Sequence, residues 1–182
     1  MGKVIAIAAL AANNVIGDSI KNDLPWPRIP SDMKFFERTT TGDFLENGKK
    51  NFVIMGRKTY ESIPEAFRPL RNRSTVVVSS NNFYPVKEGL YSATSVEDAL
   101  VLCNRINPSA DIYIAGGGSI YAYAMKHNLV DELLITHLMY ECEGDVVFPH
   151  IDTSIWFDAE KIEPTTDKKT GIVYIIVTYR KC

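Results

Sequence analysis

Three consecutive glycines, Gly116, Gly117 and Gly118, sit in "IAGGGSIYAYAM" (114–125) between an apolar run and a helical pattern. Bare backbone amides at a helix N-terminus make a cradle for phosphate, and the same glycines equally suit a tight turn that needs positive φ. The stretch is neither G-x-G-x-x-G nor a Walker A loop, and a G-x-S-x-G nucleophile elbow would need glycine where Tyr121 stands. "VIMGRKTYESIP" (53–64) repeats the plan with Gly56 and a helix opening on Arg57 and Lys58. Cations there oppose the helix macrodipole, so either an anion shares that end or the two side chains are simply solvated. Two glycine-opened helices following strands of one parallel sheet suit a dinucleotide better than a single phosphate.

A carboxylate and an arginine cluster are the other candidates. In "NDLPWPRIPSDMKFF" (22–36), Pro25, Pro27 and Pro30 stiffen the approach to a helix, and Pro30 suits its first position because it lacks an N–H. Met33 and Phe36 lie three apart on a face expected to be buried, and Asp32, four residues before Phe36, shares that face. "RPLRNR" (68–73) sets Arg68, Arg71 and Arg73 around a proline, either as a solvated loop or as a seat for a ligand carboxylate. His127, His137 and His150 share no ligand spacing, so no metal site is expected, and no Ser–His or Cys–His grouping stands out.

These residues must be held by a scaffold, and the chain alternates apolar β-type runs with helical patterns. Strands are expected at 3–10, 51–55, 74–80 and 111–117, each apolar throughout and so covered on both faces. Helices are expected at 31–41, 57–63, 96–105 and 118–127, the third introduced by Ser95 with Glu97 and Asp98 in its first turn. The pattern is that of an α/β fold, a mostly parallel central sheet flanked by helices. Runs at 131–140, 155–162 and 171–181 with little helix between them are expected to close the sheet with antiparallel strands. The stretch from Ala11 to Pro30 reads as a long binding loop or lid.

The totals bound the partners. With 182 residues the chain fits one full-sized core, and a net charge of −2 with no basic run argues against nucleic acid. No apolar stretch approaches the roughly 20 residues that span a bilayer, and the short "VIAIAAL" reads as a buried strand rather than a signal peptide. Cys103, Cys142 and Cys182 are odd in number and lack C-x-x-C spacing, which suggests free thiols in a reducing, cytoplasmic setting.

Taken together, "LPW" (24–26) with an acid six residues after the Trp, "VIMGRKT" (53–59), "SIPEAFRPLRNR" (62–73), "IAGGGSIY" (114–121) and "FPHID" (148–152) resemble dihydrofolate reductase over nearly the whole chain. Extra residues at 43–50, the PEAFRPL stretch and the length resemble the eukaryotic, monofunctional form, with no thymidylate synthase domain expected to follow. The resemblance implies one domain over 1–182, a monomer, NADPH as cofactor, dihydrofolate as substrate and antifolates as further ligands. It implies that Asp32 pairs with the 2-amino group and N3 of the pteridine, with Thr136 bonded to the carboxylate. Ile7, Ala8 and Ala9 would line the pteridine, with the Ile7 and Ala115 carbonyls as polar contacts. Leu24 and Trp26 would form the mobile loop and its water-holding Trp. Met33, Phe36, Ile63 and Leu70 would wall the benzoyl group, and Arg73 would take the glutamate carboxylate. Gly116 and Gly117 match a pair joined by a cis peptide. Ala9, Ile16, Gly56, Arg57, Lys58, Thr59, Ser79, Ser80, Gly116, Gly117, Gly118, Ser119, Ile120 and Tyr121 fall at cofactor positions, Tyr121 also at the substrate. Desolvation raises the pKa of a carboxylate in such a pocket while the helix N-terminus pulls the other way. Because Asp32 would lie across the ring from N5, the proton is expected through water.

The sequence departs from the pattern in places. Vertebrate enzymes carry Glu at the Asp32 position, Met33 and Ala115 replace bulkier or aromatic residues, and 18–22 lengthen the loop. Arg57 keeps one cation for a 2′-phosphate, but Ser80 and Thr94 stand where two arginines are usual, and Ser79 and Thr94 would supply neutral donors. A riboflavin-pathway reductase of the same fold lacks a reason for Arg73 and the L-P-W acid helix. A non-catalytic dinucleotide-binding module would make Asp32 structural.

Overall fold

The computed structural model describes residues 2–42, 50–81 and 87–182. The extra residues read at 43–50 lie, apart from Lys50, outside that range. Strands β1 (Val4–Leu10), β3 (Phe52–Gly56), β4 (Ser74–Val78), β5 (Leu90–Ala93), β6 (Ile112–Ile114) and β7 (Glu132–Leu138) are joined with β11 (Val173–Lys181) in one sheet. Its order is β11-β7-β1-β6-β3-β4-β5, with β9 (Trp156–Lys161) and β10 (Thr165–Thr166) also pairing with β11. Every pair from β7 to β5 is parallel. Antiparallel pairing begins only at β11, so the expectation of an antiparallel close holds for 155–181 and fails for 131–140: β7 runs parallel to β1, Ala9 opposite Thr136.

Helices α1 (Pro30–Thr41), α2 (Arg57–Ser62), α3 (Val96–Ile106) and α4 (Gly118–Lys126) flank the sheet. Alternate residues of the apolar strands serve opposite faces, which is why the runs show no polar alternation. Phe52 and Ile54 of β3 pack with Ala99 and Cys103 of α3, and Ala6 and Ile114 with Ala124 of α4. Val53 and Met55 point the other way, into a cluster with Ile7, Tyr60 and Tyr113 to which Phe36 of α1, Ile63 and Leu70 add. A fully buried side chain of this size contributes about 1.5–3 kcal/mol. Pro30 takes the first turn of α1, and Ser95 caps α3 by accepting the Asp98 N–H at 3.0 Å.

Three local differences from the sequence reading matter. β5 arises from "LYSA", too short and too rich in small residues to show an apolar run. The Ala11–Pro30 stretch contains β2 (Val15–Gly17), paired with β8 (Val146–Val147), so it is tied down at its start. The expected strand at 111–117 shrinks to Ile112–Ile114; Gly116, just beyond it, has φ 111°, and the Gly116–Gly117 peptide is cis.

Candidate active site

The parallel strands β1, β3, β4 and β6 deliver their C-terminal ends to one edge of the sheet, the usual place for ligands in such folds. A cleft of about 850 Å³ opens there. It is lined by Gly56 and Gly116 to Gly118 at the strand–helix turns, by Arg57, Lys58, Thr59 and Ser119 at the helix starts, and by Ser79, Ser80 and Thr94 beyond β4 and β5. Ala8, Ala9, Ile16, Ala115, Ile120, Tyr121 and Leu24 add apolar surface, and the 17–23 segment brings Asp18 and Asp23 to the rim. The two turns touch: Gly56 N–H donates to the Gly116 carbonyl at 2.8 Å. At Gly118 a Cβ would fall 2.6 Å from a methyl of Val146, so only glycine lets β8 approach. Bare turns, hydroxyls and two cations form a donor set suited to a phosphate-bearing dinucleotide.

Beside the cleft, α1 carries Asp32 toward β7. Thr136 Oγ1 donates to Asp32 Oδ1 at 2.8 Å, across 104 residues of chain. Burial raises the Asp32 pKa above the ordinary carboxylate range, and the Thr136 hydrogen bond opposes that only in part. Tyr121, buried in the core, donates its hydroxyl to the Ile7 carbonyl at 2.6 Å, and burial pushes its pKa well up. Phe36, Ile63, Leu70 and Ala115 share one apolar cluster with Ile7. Arg73 is buried at the far side, its guanidinium 5.9 Å over the Phe36 ring, with Nη1 donating to Thr40 Oγ1 at 2.9 Å and Nε to the Arg71 carbonyl at 2.8 Å. Burial lowers its pKa, and the charge of Glu37 pulls the other way.

Other expected residues sit differently from the sequence reading. Met33 is 49% exposed, whereas Phe36, three residues on, packs against the cluster around Ile7 and Tyr113. The three arginines do not converge: Arg68 stands over the Tyr60 ring at 5.4 Å, Arg71 is exposed and Arg73 is buried. Trp26 is buried among Ala11, Val15, Ile29 and Leu138, whereas Leu24 is about half exposed. The anion that Arg57 called for is supplied by Glu61, at 2.8 Å. The Thr94 hydroxyl is committed to Asp98 rather than open to the cleft.

The sequence reading missed several supports. Asp167, from the turn before β11, accepts from Ser31 Oγ at 2.7 Å and from the Ser31 and Thr170 amides at 3.2 and 2.8 Å, so it fixes the first turn of α1 beneath Asp32. Its one visible signal is "DKKTG", an Asp followed by Thr170 and Gly171 at turn spacing. Ser19 bonds Asp145 through its amide at 2.7 Å and through its hydroxyl, and Asn22 donates to the Lys58 carbonyl at 3.2 Å, so the 18–23 segment crosses to both walls. Among the described residues no trio of His, Cys, Asp or Glu could hold a metal, and no helix is long and apolar enough to cross a membrane. All three cysteines are unpaired.

The family profile for dihydrofolate reductase matches residues 3–181. The chain belongs to the dihydrofolate reductase family. The dihydrofolate reductase of pig (Sus scrofa) is 36% identical over 181 residues, covering 96% of both chains. That of mouse (Mus musculus) is 40% identical over 149 residues, 80% of this chain and 78% of the relative. A bacterial dihydrofolate reductase, from Neisseria gonorrhoeae, is 38% identical over 179 residues, 98% of each. Membership makes this chain an enzyme, an oxidoreductase of the nicotinamide-dependent kind.

Proposed function

We propose that the chain, acting as one monomeric domain in the cytoplasm, reduces 7,8-dihydrofolate to 5,6,7,8-tetrahydrofolate with NADPH and so supplies one-carbon units for thymidylate and purine synthesis. The observation that carries the reading is the half-buried carboxylate of Asp32, held by Thr136 beside a cleft with two bare glycine turns. NADPH, when bound, supplies the hydride for C6 of the substrate. The residues that would hold it are those lining the cleft: the amides at Gly116 to Ser119, the hydroxyls of Thr59, Ser79 and Ser80, the apolar Ile16 and Ile120, and Arg57 with Lys58 for the 2′-phosphate.

Asp32 accepts two donors from the pteridine, its 2-amino group and N3, a fork that a carboxylate matches and an amide does not. Thr136 fixes the carboxylate's rotation by occupying one of its oxygens. The Ile7 and Ala115 carbonyls point polar contacts at the opposite ring edge, with the Tyr121 hydroxyl holding the former. Met33, Phe36, Ile63 and Leu70 exclude water from the benzoyl group, and the Arg73 guanidinium, preset by Thr40 and Arg71, receives the tail carboxylate. Leu24 covers the cleft, while Trp26 holds the water through which a proton reaches N5, since Asp32 lies across the ring from that atom. Antifolates sharing the diaminopyrimidine fork would compete at Asp32.

Loss of nicotinamide absorbance on adding dihydrofolate to NADPH and pure protein is the direct test. Folded protein that binds NADPH but does not turn over would refute the reading.

A further inference from the structure

The end of the cleft lined by Arg57, Lys58, Ser79, Ser80 and Thr94 has two cations among the described residues, and one of them is already engaged. Arg57 Nη1 lies 2.8 Å from Glu61 Oε2, four residues on along α2, so the backbone itself presets the pair. Across the cleft the Thr94 hydroxyl donates to Asp98, whose place is fixed by the Ser95 cap. Each wall therefore carries a carboxylate that takes up a donor a phosphate would use. An incoming dianion must either displace Glu61 from the guanidinium or share it at like-charge proximity, and both reduce the gain from the 2′-phosphate.

We propose that Glu61 is a specificity-determining residue: by holding Arg57 it competes with the 2′-phosphate and narrows the preference for phosphorylated over unphosphorylated dinucleotide. The inference rests on the NADPH reading above. Glu61 touches no reacting atom and acts through Arg57. Both side chains are a little over one-third exposed, so the competing pair is of the modest, salt-screened kind.

Binding of NADPH and of NADH to the cofactor-free protein, followed by quenching of tryptophan emission at low salt, tests this in the parent, Glu61→Gln, Arg57→Ala and the double variant. Glu61→Gln should tighten NADPH by roughly two- to fivefold and leave NADH unchanged. The gain should vanish in the Arg57→Ala background and shrink as salt rises from about 0.05 to about 0.5 M. An unchanged NADPH-to-NADH ratio in Glu61→Gln, or a gain that survives Arg57→Ala, would overturn the role of Glu61 while leaving the NADPH reading intact. A parent protein that binds neither dinucleotide would bring down both.

Discussion

Replacing Asp32 by asparagine should make the protein more stable at neutral pH and nearly inactive. The carboxyl is lifted above its ordinary range by burial, and the single hydrogen bond from Thr136 does not cancel that. With the folded-state pKa above the unfolded value of about 3.9, the folded chain binds more protons than the unfolded one between the two values. Stability therefore falls as pH climbs from about 4 through the folded-state pKa, and stays lower above it. Asparagine has nearly the same shape, still accepts from Thr136 and carries no charge, so it removes the penalty. Exchanges that relieve an active-site cost in this way return about 0.5–2 kcal/mol; with one bond kept, we expect about 1 kcal/mol at pH 7, or about 2–4 °C in Tm. Turnover should drop about 10²- to 10⁴-fold, because the amide offers NH₂ where the pteridine offers donors, with partial recovery at low pH where substrate protonates in solution. Urea melts between pH 4 and 8, paired with initial rates on the same preparations, measure both arms. An equal stability gain at pH 4 and pH 8 would mean packing rather than charge, and near-parental turnover would remove Asp32 from the chemistry.

Arg73→Leu should raise KM for dihydrofolate about 10- to 100-fold with little effect on NADPH binding, and should cost about 1–3 kcal/mol of stability through the lost charge-assisted hydrogen bonds to the Arg71 carbonyl and to the Thr40 hydroxyl, which keeps its own bond to the Phe36 carbonyl; equal losses for substrates without a glutamate tail would contradict the assignment. Asp167 accepts so many hydrogen bonds that its pKa is held far below the carboxylate range, the Ser31 hydroxyl contributing most, so its stabilisation is present above the unfolded pKa of about 3.9 and is lost as pH falls. Asp167→Asn should thus lower Tm at pH 7 by more than at pH 3, and a constant decrement in calorimetry would refute the charge argument. Gly118→Ala should destabilise by about 1–3 kcal/mol through the clash with Val146, and Val146→Ala should restore part of the loss in chemical denaturation.

How much of this was legible in the sequence depended on range. Long β-branched runs announced β1, β3, β4, β7 and β11, and the glycines after β3 and β6 marked both turns, because these signals lie within one local window. The α1 pattern identified which residues share a face but not what the face meets: Met33, expected to be buried, is half exposed. Spacing likewise brought Arg68, Arg71 and Arg73 close in sequence while the turn sent them three ways. The Glu61 partner of Arg57 stands at i,i+4 spacing, a local signal, but the same spacing fits a solvated pair or a cation kept for a ligand, so only the structure decides. Asp167 could not be placed beneath α1 by any local rule, because its contact with Ser31 spans 136 residues.

The central position of β1 has a consequence for how the chain is made. Its two neighbours in the sheet are β6 and β7, so Val4 pairs with Ile112 and Ile5 with Glu132. At translation rates of about 5–20 residues per second, β1 waits about 5–20 s before either partner exists. Through that interval an apolar strand has both edges bare, which is the condition that recruits chaperones or other nascent strands. Asp32 is synthesised within the same interval, but its hydroxyl partner arrives with β7, so a nascent chain released before Leu138 can carry the cofactor turns and still have no pocket for a pteridine.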